Sequence, residues 1–185
     1  MPVLSRFIQR ERLARASELV NGDVLELGCG QAKILEHAGQ RINRYVGIDR
    51  SPRILEEAKQ RYPDHTFMEL DVETDTPPFD AEFDVVLMLA FIEHIFNQRH
   101  LFEICCKSLR SAGRLIVTTP TPFGNDVVHR LGATLGLFAK SAMDDHIVIY
   151  NRKRFDIAAA EFGLELELYR RFQFACNQLV VMRKP

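Results

Sequence analysis

The segment Asp23-Val-Leu-Glu-Leu-Gly-Cys-Gly-Gln-Ala-Lys-Ile-Leu35 constrains this chain more than any other. A short apolar strand (Val24, Leu25, Leu27) runs into a turn carrying Gly28, Cys29 and Gly30, and the spacing predicts a helix over 31–39. Glycines in such a turn let the backbone double back and let a ligand lie against the main chain with no Cβ in the way. Glu26 stands two places before the first glycine. A carboxylate there repels phosphate, so Glu-x-Gly-x-Gly suits a ligand whose nearest group is cationic. A Gly-x-Gly-x-x-Gly dinucleotide turn would need glycine at position 33, which is Lys33.

The rest of the chain alternates strands and helices. Apolar positions from Ser5 to Val20 follow helical spacing, ended by Asn21-Gly22. Arg44–Asp49 is a second strand, and Ser51-Pro52 opens a helix that runs to Arg61, with serine at the N-cap and proline at N1. Thr66–Asp71 is a third strand. Phe83–Leu89 is an almost continuous apolar run, as in a parallel strand covered on both faces. A helix over 98–110, a Ser-Ala-Gly-Arg turn, a strand over 115–119, a helix over 152–162 and two antiparallel strands over 164–172 and 174–182 complete the series. The pattern implies one α/β domain over 1–185: a doubly wound, Rossmann-like, seven-stranded mixed sheet between two helical layers, with an antiparallel C-terminal hairpin.

Composition excludes several classes. With 185 residues, 46% apolar and 26% charged, the chain can bury a full core, and no apolar run nears the ~18 residues of a membrane span. The N-terminus has no secretory apolar region and the four cysteines have neither zinc nor disulfide spacing, so the expected compartment is the cytoplasm and no metal is expected. Residues 21–151 hold 13 basic against 19 acidic side chains, which argues against a nucleic-acid channel; the arginines of residues 1–20 read as the solvated face of a helix.

In open parallel sheets ligands sit beyond the carboxyl ends of the strands. Three consecutive strand ends offer Gly28/Gly30, Asp49 (with Arg50 beside it) and Asp71. Asp49 suits two ribose hydroxyls. Asp71 suits an exocyclic amine, with the Val72 amide able to reach a ring nitrogen. The order fits an adenosine.

At this point the chain resembles the class I S-adenosylmethionine-dependent methyltransferases, through VLELGCGQAKIL, YVGIDRS, MELDVE, FDVVLMLAFIEHI and LRSAGRLIVTTP over roughly residues 20–120. The resemblance implies S-adenosylmethionine as cofactor, main-chain contacts from Gly28 and Gly30 to its methionine part, and Glu26 near its ammonium. It also implies Asp49 on the ribose, Asp71 and Val72 on the adenine, and the Leu89 main chain facing the methionine end. Alanine at position 32, where the family often has a third glycine, implies a slightly altered helix approach.

Methyl transfer from a sulfonium needs alignment and exclusion of water, and a general base only where the nucleophile must lose a proton. His94 reads as that base or as a residue packed beside the cofactor; His146 reads as a base, a substrate contact or a cap. Asp144, Asp145 and Tyr150 are further candidate contacts. Residues 123–140 read as a lid over an apolar or partly apolar small-molecule acceptor, or as a helix that completes the fold. The expected reaction is methylation at oxygen or carbon. The alternatives are a catalytically silent cofactor-binding scaffold, or a methyltransferase of proteins or nucleic acids.

Overall fold

The computed structural model describes residues 3–126 and 147–185. Its elements are α1 (Val3–Ser17), β1 (Gly22–Leu27), α2 (Leu35–Ala38), β2 (Ile42–Asp49), α3 (Pro52–Arg61), β3 (Thr66–Glu69), β4 (Phe83–Leu89), α4 (Gln98–Ser108), β5 (Leu109–Pro120), α5 (Arg152–Glu161), β6 (Glu165–Phe172) and β7 (Asn177–Arg183). The seven strands form one sheet in the order β3-β2-β1-β4-β5-β7-β6. β1 to β5 run parallel, and β7 lies antiparallel to both β5 and β6. The mixed sheet read from the sequence is therefore present.

Alternation along the central strands divides the core in two. Leu25 and Leu27 of β1 and Val86 and Met88 of β4 pack with Leu101, Phe102 and Phe155 of α4 and α5. Val24, Val85 and Leu87 face the other way, against Leu13 and Ala16 of α1 and Leu55 and Ala58 of α3. Each fully buried large side chain contributes about 1.5–3 kcal/mol relative to exposure. At the amino ends of the strands, Arg110 joins Asp23 and Asp84 at 2.8 and 2.9 Å, and so ties β1, β4 and β5 together.

Four expectations about elements change. α1 ends at Ser17 rather than Val20, because the amides of Leu19 and Val20 turn back to Ala16 and Ser17. The helix expected over 31–39 is reduced to Leu35–Ala38 followed by a 3-10 turn over Gly39–Arg41. Ala32 takes a left-handed φ of 52°, which interrupts helical geometry where the helix should begin. The third strand stops at Glu69, so Asp71 stands in the loop beyond it. The Ser111–Arg114 turn is absorbed into β5 as a bulge: Phe83 pairs with Leu109 while Val85 pairs with Arg114, and Ala112 adopts a φ of 63°.

Candidate functional site

The chain leaves β1 for β2 and β3 on one side, then crosses to β4 and β5 on the other, so strand order reverses between β1 and β4. Such a reversal opens a crevice at the carboxyl ends, because the connections depart in opposite directions. Two cavities occupy that crevice. One, of about 190 Å³, is lined by Gly28, Ile48, Asp49, Arg50, Leu70, Asp71, Val72, Glu73, Phe91, His94 and Ile95. The other, of about 570 Å³, is bounded by Glu26, Gly28, Cys29, Gly30 and Leu89 together with Gln9, Arg12 and Leu13 of α1. Gly28 belongs to both.

The turn between them is held by the main chain. The Cys29 amide donates to the Ile48 carbonyl at 2.9 Å, and the Ala32 amide to the Cys29 carbonyl at 2.9 Å. Gly28 has a φ of 69°, and a Cβ on it would collide with the Phe91 ring. Glycine at 28 is thus required twice, by backbone conformation and by the ring lying on its α-carbon. Above Gly30 a Cβ would meet nothing within 4 Å, so that face of the turn is open to a ligand.

Asp49 organises the second strand end. Its Oδ2 accepts from the Gly30 amide and its Oδ1 from the Ser51 amide, each at 2.9 Å. One carboxylate therefore fixes the glycine turn relative to the start of α3, and Asp49 also lines the smaller cavity. Ser51 occupies the N-cap position with Pro52 at N1, but its side chain makes no capping bond. Asp71 closes its own loop, with Oδ1 accepting from the Glu73 amide at 3.0 Å, while its amide donates to Asp75 Oδ2 at 3.0 Å.

Glu26 is buried beside the turn, and Tyr45 from β2 donates its hydroxyl to Glu26 Oε2 at 2.5 Å. Burial pushes the Glu26 carboxyl up to about 8; the Tyr45 hydrogen bond opposes this and the neighbouring Asp49 charge adds to it. Burial also raises the Cys29 thiol, which keeps it protonated and unreactive. Arg12 is pulled down by burial, opposed by the charge of Glu93. Glu93 is itself buried: its carboxylate accepts from Thr119 Oγ1 at 3.0 Å, and its carbonyl accepts from the Ile147 amide at 2.8 Å.

The candidate residues sort accordingly. Asp49, Arg50, Asp71, Val72 and His94 line the smaller cavity; Glu26, Cys29, Gly30 and Leu89 line the larger, and Gly28 joins them. His94 ends the 3-10 turn Ile92–His94 that follows β4. Tyr150, a candidate contact by sequence, is buried in the core instead. Its ring packs on Phe155 with centroids 4.7 Å apart, and its hydroxyl donates to Gln98 Oε1 at 3.0 Å. His146, Asp144, Asp145 and most of the lid segment lie outside the described residues; of that segment, 123–126 are helical. Among the described residues, no cluster of three or more His, Cys, Asp or Glu side chains is placed to hold a metal ion, and no helix is long and apolar enough to cross a membrane.

Two contributions to the crevice were not read from sequence. Phe91 covers Gly28, a contact between residues far apart in the chain. Gln9, Arg12 and Leu13 supply one wall, and their i, i+3, i+4 spacing was a signal that one face of α1 meets something.

Comparison with known proteins follows the same line. The model of the family described as "Methyltransferase domain" matches residues 25–117. A Mycobacterium tuberculosis protein named "Probable S-adenosylmethionine-dependent methyltransferase" is 31% identical over 98 residues, which are 53% of this chain and 35% of that protein. Trans-aconitate 2-methyltransferase of Afipia carboxidovorans is 29% identical over 113 residues, 60% of this chain and 43% of that one. The chain spans less than half the length of these curated relatives. The solved structure of an S-adenosylmethionine-dependent methyltransferase from Mesorhizobium loti superposes with a TM-score of 0.73 at 17% identity, covering 95% of this chain and 97% of that one. Domain match, sheet order and the glycine turn agree: this chain belongs to the class I S-adenosylmethionine-dependent methyltransferase family.

Proposed function

We propose that the chain binds S-adenosylmethionine along the carboxyl ends of β1, β2 and β4 and directs its methyl group to a small-molecule acceptor, at oxygen or carbon. The observation that carries this reading is the meeting, at Gly28, of a cavity bearing Asp49 and Asp71 with a cavity bearing the buried acid Glu26. The first has carboxylates for a sugar and an amine. The second places the Glu26 carboxyl group beside the glycine turn, where a cation can meet it. The open face above Gly30 gives the ligand main chain to lie on.

When bound, the cofactor supplies an activated methyl on a neutral leaving group. The residues of this chain hold and align. Asp49 accepts from the ribose hydroxyls while keeping the Gly30 and Ser51 amides in place. Val72 and Ile95 give the smaller cavity apolar walls, and Leu89 stands at the methionine end. Proximity and alignment of this kind supply roughly 7–11 kcal/mol in favourable cases. His94 lies on the exit from β4 and is the described candidate to take a proton from an acceptor hydroxyl; His146 is the second candidate for that role.

Calorimetry with S-adenosylhomocysteine tests the reading. Wild type is expected to bind, and Asp49→Ala to lose at least about tenfold in affinity, the worth of a hydrogen bond to a charged group. A wild-type chain that binds neither S-adenosylmethionine nor S-adenosylhomocysteine would overturn it. A chain that binds both but methylates nothing across a broad acceptor panel would make it a cofactor-binding scaffold.

A further inference from the structure

We propose that the carboxyl edge of the sheet docks on the headgroup surface of an anionic lipid bilayer, with the rings of Phe7, Phe123 and Phe174 entering the interface; this goes beyond the methyltransferase reading and does not rest on it. The three residues are 61, 56 and 99% exposed. Single exposed apolar side chains are ordinary, but these come from three segments fastened to one another at one place. Phe7 precedes Ile8 of α1, whose carbonyl accepts from Gln173 Nε2 at 3.0 Å, and Phe174 follows Gln173. Phe123 precedes Gly124, which lies so close to the Cys176 main chain that a Cβ would collide with its carbonyl. β5 and β6 both lie antiparallel to β7, so the β6–β7 turn stands at the same sheet edge as the end of β5. The cofactor crevice opens at that edge.

Phe174 is held outward at a conformational cost. Gln173, Phe174 and Ala175 adopt left-handed φ values of 52°, 53° and 64° in succession. Such a conformation strains a residue that carries a Cβ, and it persists only where the surroundings impose it. Here they do. Asn177 Nδ2 donates to Gln173 Oε1 and Thr121 Oγ1 donates to the Ala175 carbonyl, each at 2.6 Å. The amides of Cys176 and Thr121 donate to the carbonyls of Gln173 and Cys176 at 3.0 and 2.9 Å. A turn braced in this way, yet leaving a whole phenyl ring in water, points to a use for that ring outside the chain.

The surrounding charges choose the occupant. Arg10 is exposed one turn beyond Phe7 on the same helix face, and Arg170 and Arg171 are exposed near the end of β6 that leads to Phe174. Glu165 and Glu167 lie at the start of β6, toward the opposite edge. Glu11 is taken up by Arg15 at 2.8 Å, which leaves Asp126, beside Phe123, as the exposed acid of this group. Cations flanking apolar rings match the two layers of a bilayer surface, anionic headgroups above acyl chains. A bilayer also takes rings from separate segments without a complementary pocket. A second copy meeting the same face across a two-fold axis would bring these arginines against one another.

The test is co-sedimentation of the intact chain with vesicles of phosphatidylcholine alone, or of equal parts phosphatidylcholine and phosphatidylglycerol. Wild type is expected to partition onto the anionic vesicles at least about tenfold more strongly than onto the neutral ones. Phe174→Asn removes the ring but keeps a residue that tolerates left-handed geometry, so the turn should survive while anionic-vesicle binding falls about tenfold. Phe7→Ser should weaken binding as well, and carries the same comparison should Phe174→Asn fail to fold. Arg170→Glu/Arg171→Glu should abolish the preference for anionic lipid. A wild type that ignores both vesicles overturns the proposal, as does vesicle binding undiminished in Phe174→Asn and Phe7→Ser. A dimer seen by light scattering that Phe174→Asn dissociates would make this face a contact between copies and overturn it too. A chain that binds S-adenosylhomocysteine but no vesicle overturns this inference alone.

Discussion

Tyr45 and Glu26, nineteen positions apart on adjacent parallel strands, share a 2.5 Å hydrogen bond beneath the glycine turn. The phenol is the direct hydrogen-bond donor to a carboxyl group that burial drives toward its neutral form. This makes Glu26 an acid whose charge depends on what lies above it.

Ligand binding should therefore release a proton. With the Glu26 carboxyl pushed up to about 8, the ligand-free chain holds it largely protonated at pH 7, and a neighbouring ammonium favours the carboxylate. Affinity for S-adenosylhomocysteine is expected to rise from pH 6 toward pH 8. Calorimetry in buffers of different ionisation heat should show proton release near pH 7, which Glu26→Gln should abolish. The same shift sets a stability trend. Because the folded-state value lies above the unfolded one, Glu26 favours folding at low pH, and that contribution is lost as pH rises from about 4.5 to about 8. Thermal melts of the ligand-free chain across that window should show a decline that is reduced in Glu26→Gln.

Tyr45→Phe should make the acid harder to ionise. The Tyr45 hydrogen bond is what opposes the burial effect, so its loss moves the Glu26 midpoint further upward. The pH at which binding reaches its plateau should rise with it, and affinity at pH 7 should fall several-fold. An unmatched buried carboxyl oxygen costs about 1–3 kcal/mol, measurable as a lowered urea midpoint.

Gly28→Ala should damage both the fold and the site. A left-handed φ of 69° on a residue with a Cβ costs about 1–3 kcal/mol, and the added methyl collides with the Phe91 ring. The double variant Gly28→Ala/Phe91→Ala should recover more stability than the sum of the two single effects predicts, because only the clash depends on Phe91. The backbone penalty should remain, so recovery is partial. Chemical denaturation of all four chains gives the coupling.

Asp49→Asn should destabilise the chain even without a ligand. Both Asp49 oxygens accept main-chain amides, from Gly30 and Ser51, and an asparagine side chain offers only one acceptor. One N–H then faces an NH₂ group, at a cost of about 1–3 kcal/mol. Hydrogen exchange should quicken at Gly30 or Ser51, whichever loses its acceptor, and unchanged protection at both would refute the bridging role.

Much of the site was legible because it depends on local rules. Strand ends put Gly28, Gly30, Asp49 and Asp71 at one edge once the strands were recognised as parallel, since parallel strands present all their carboxyl ends together. Tyr150 was not placed by its chain position, which said nothing about its packing on Phe155 away from the two cavities that meet at Gly28.

The sequence by itself determined the sheet, the glycine turn and the line of carboxylates, because alternation, turn chemistry and spacing act between near neighbours. Only the tertiary structure decided that Phe91 lies on Gly28, that Tyr45 binds Glu26 and that Arg12 turns inward with one donor unmatched. Those relationships arise from packing between distant segments, where burial, rather than residue type, sets the charge and the partner of each group.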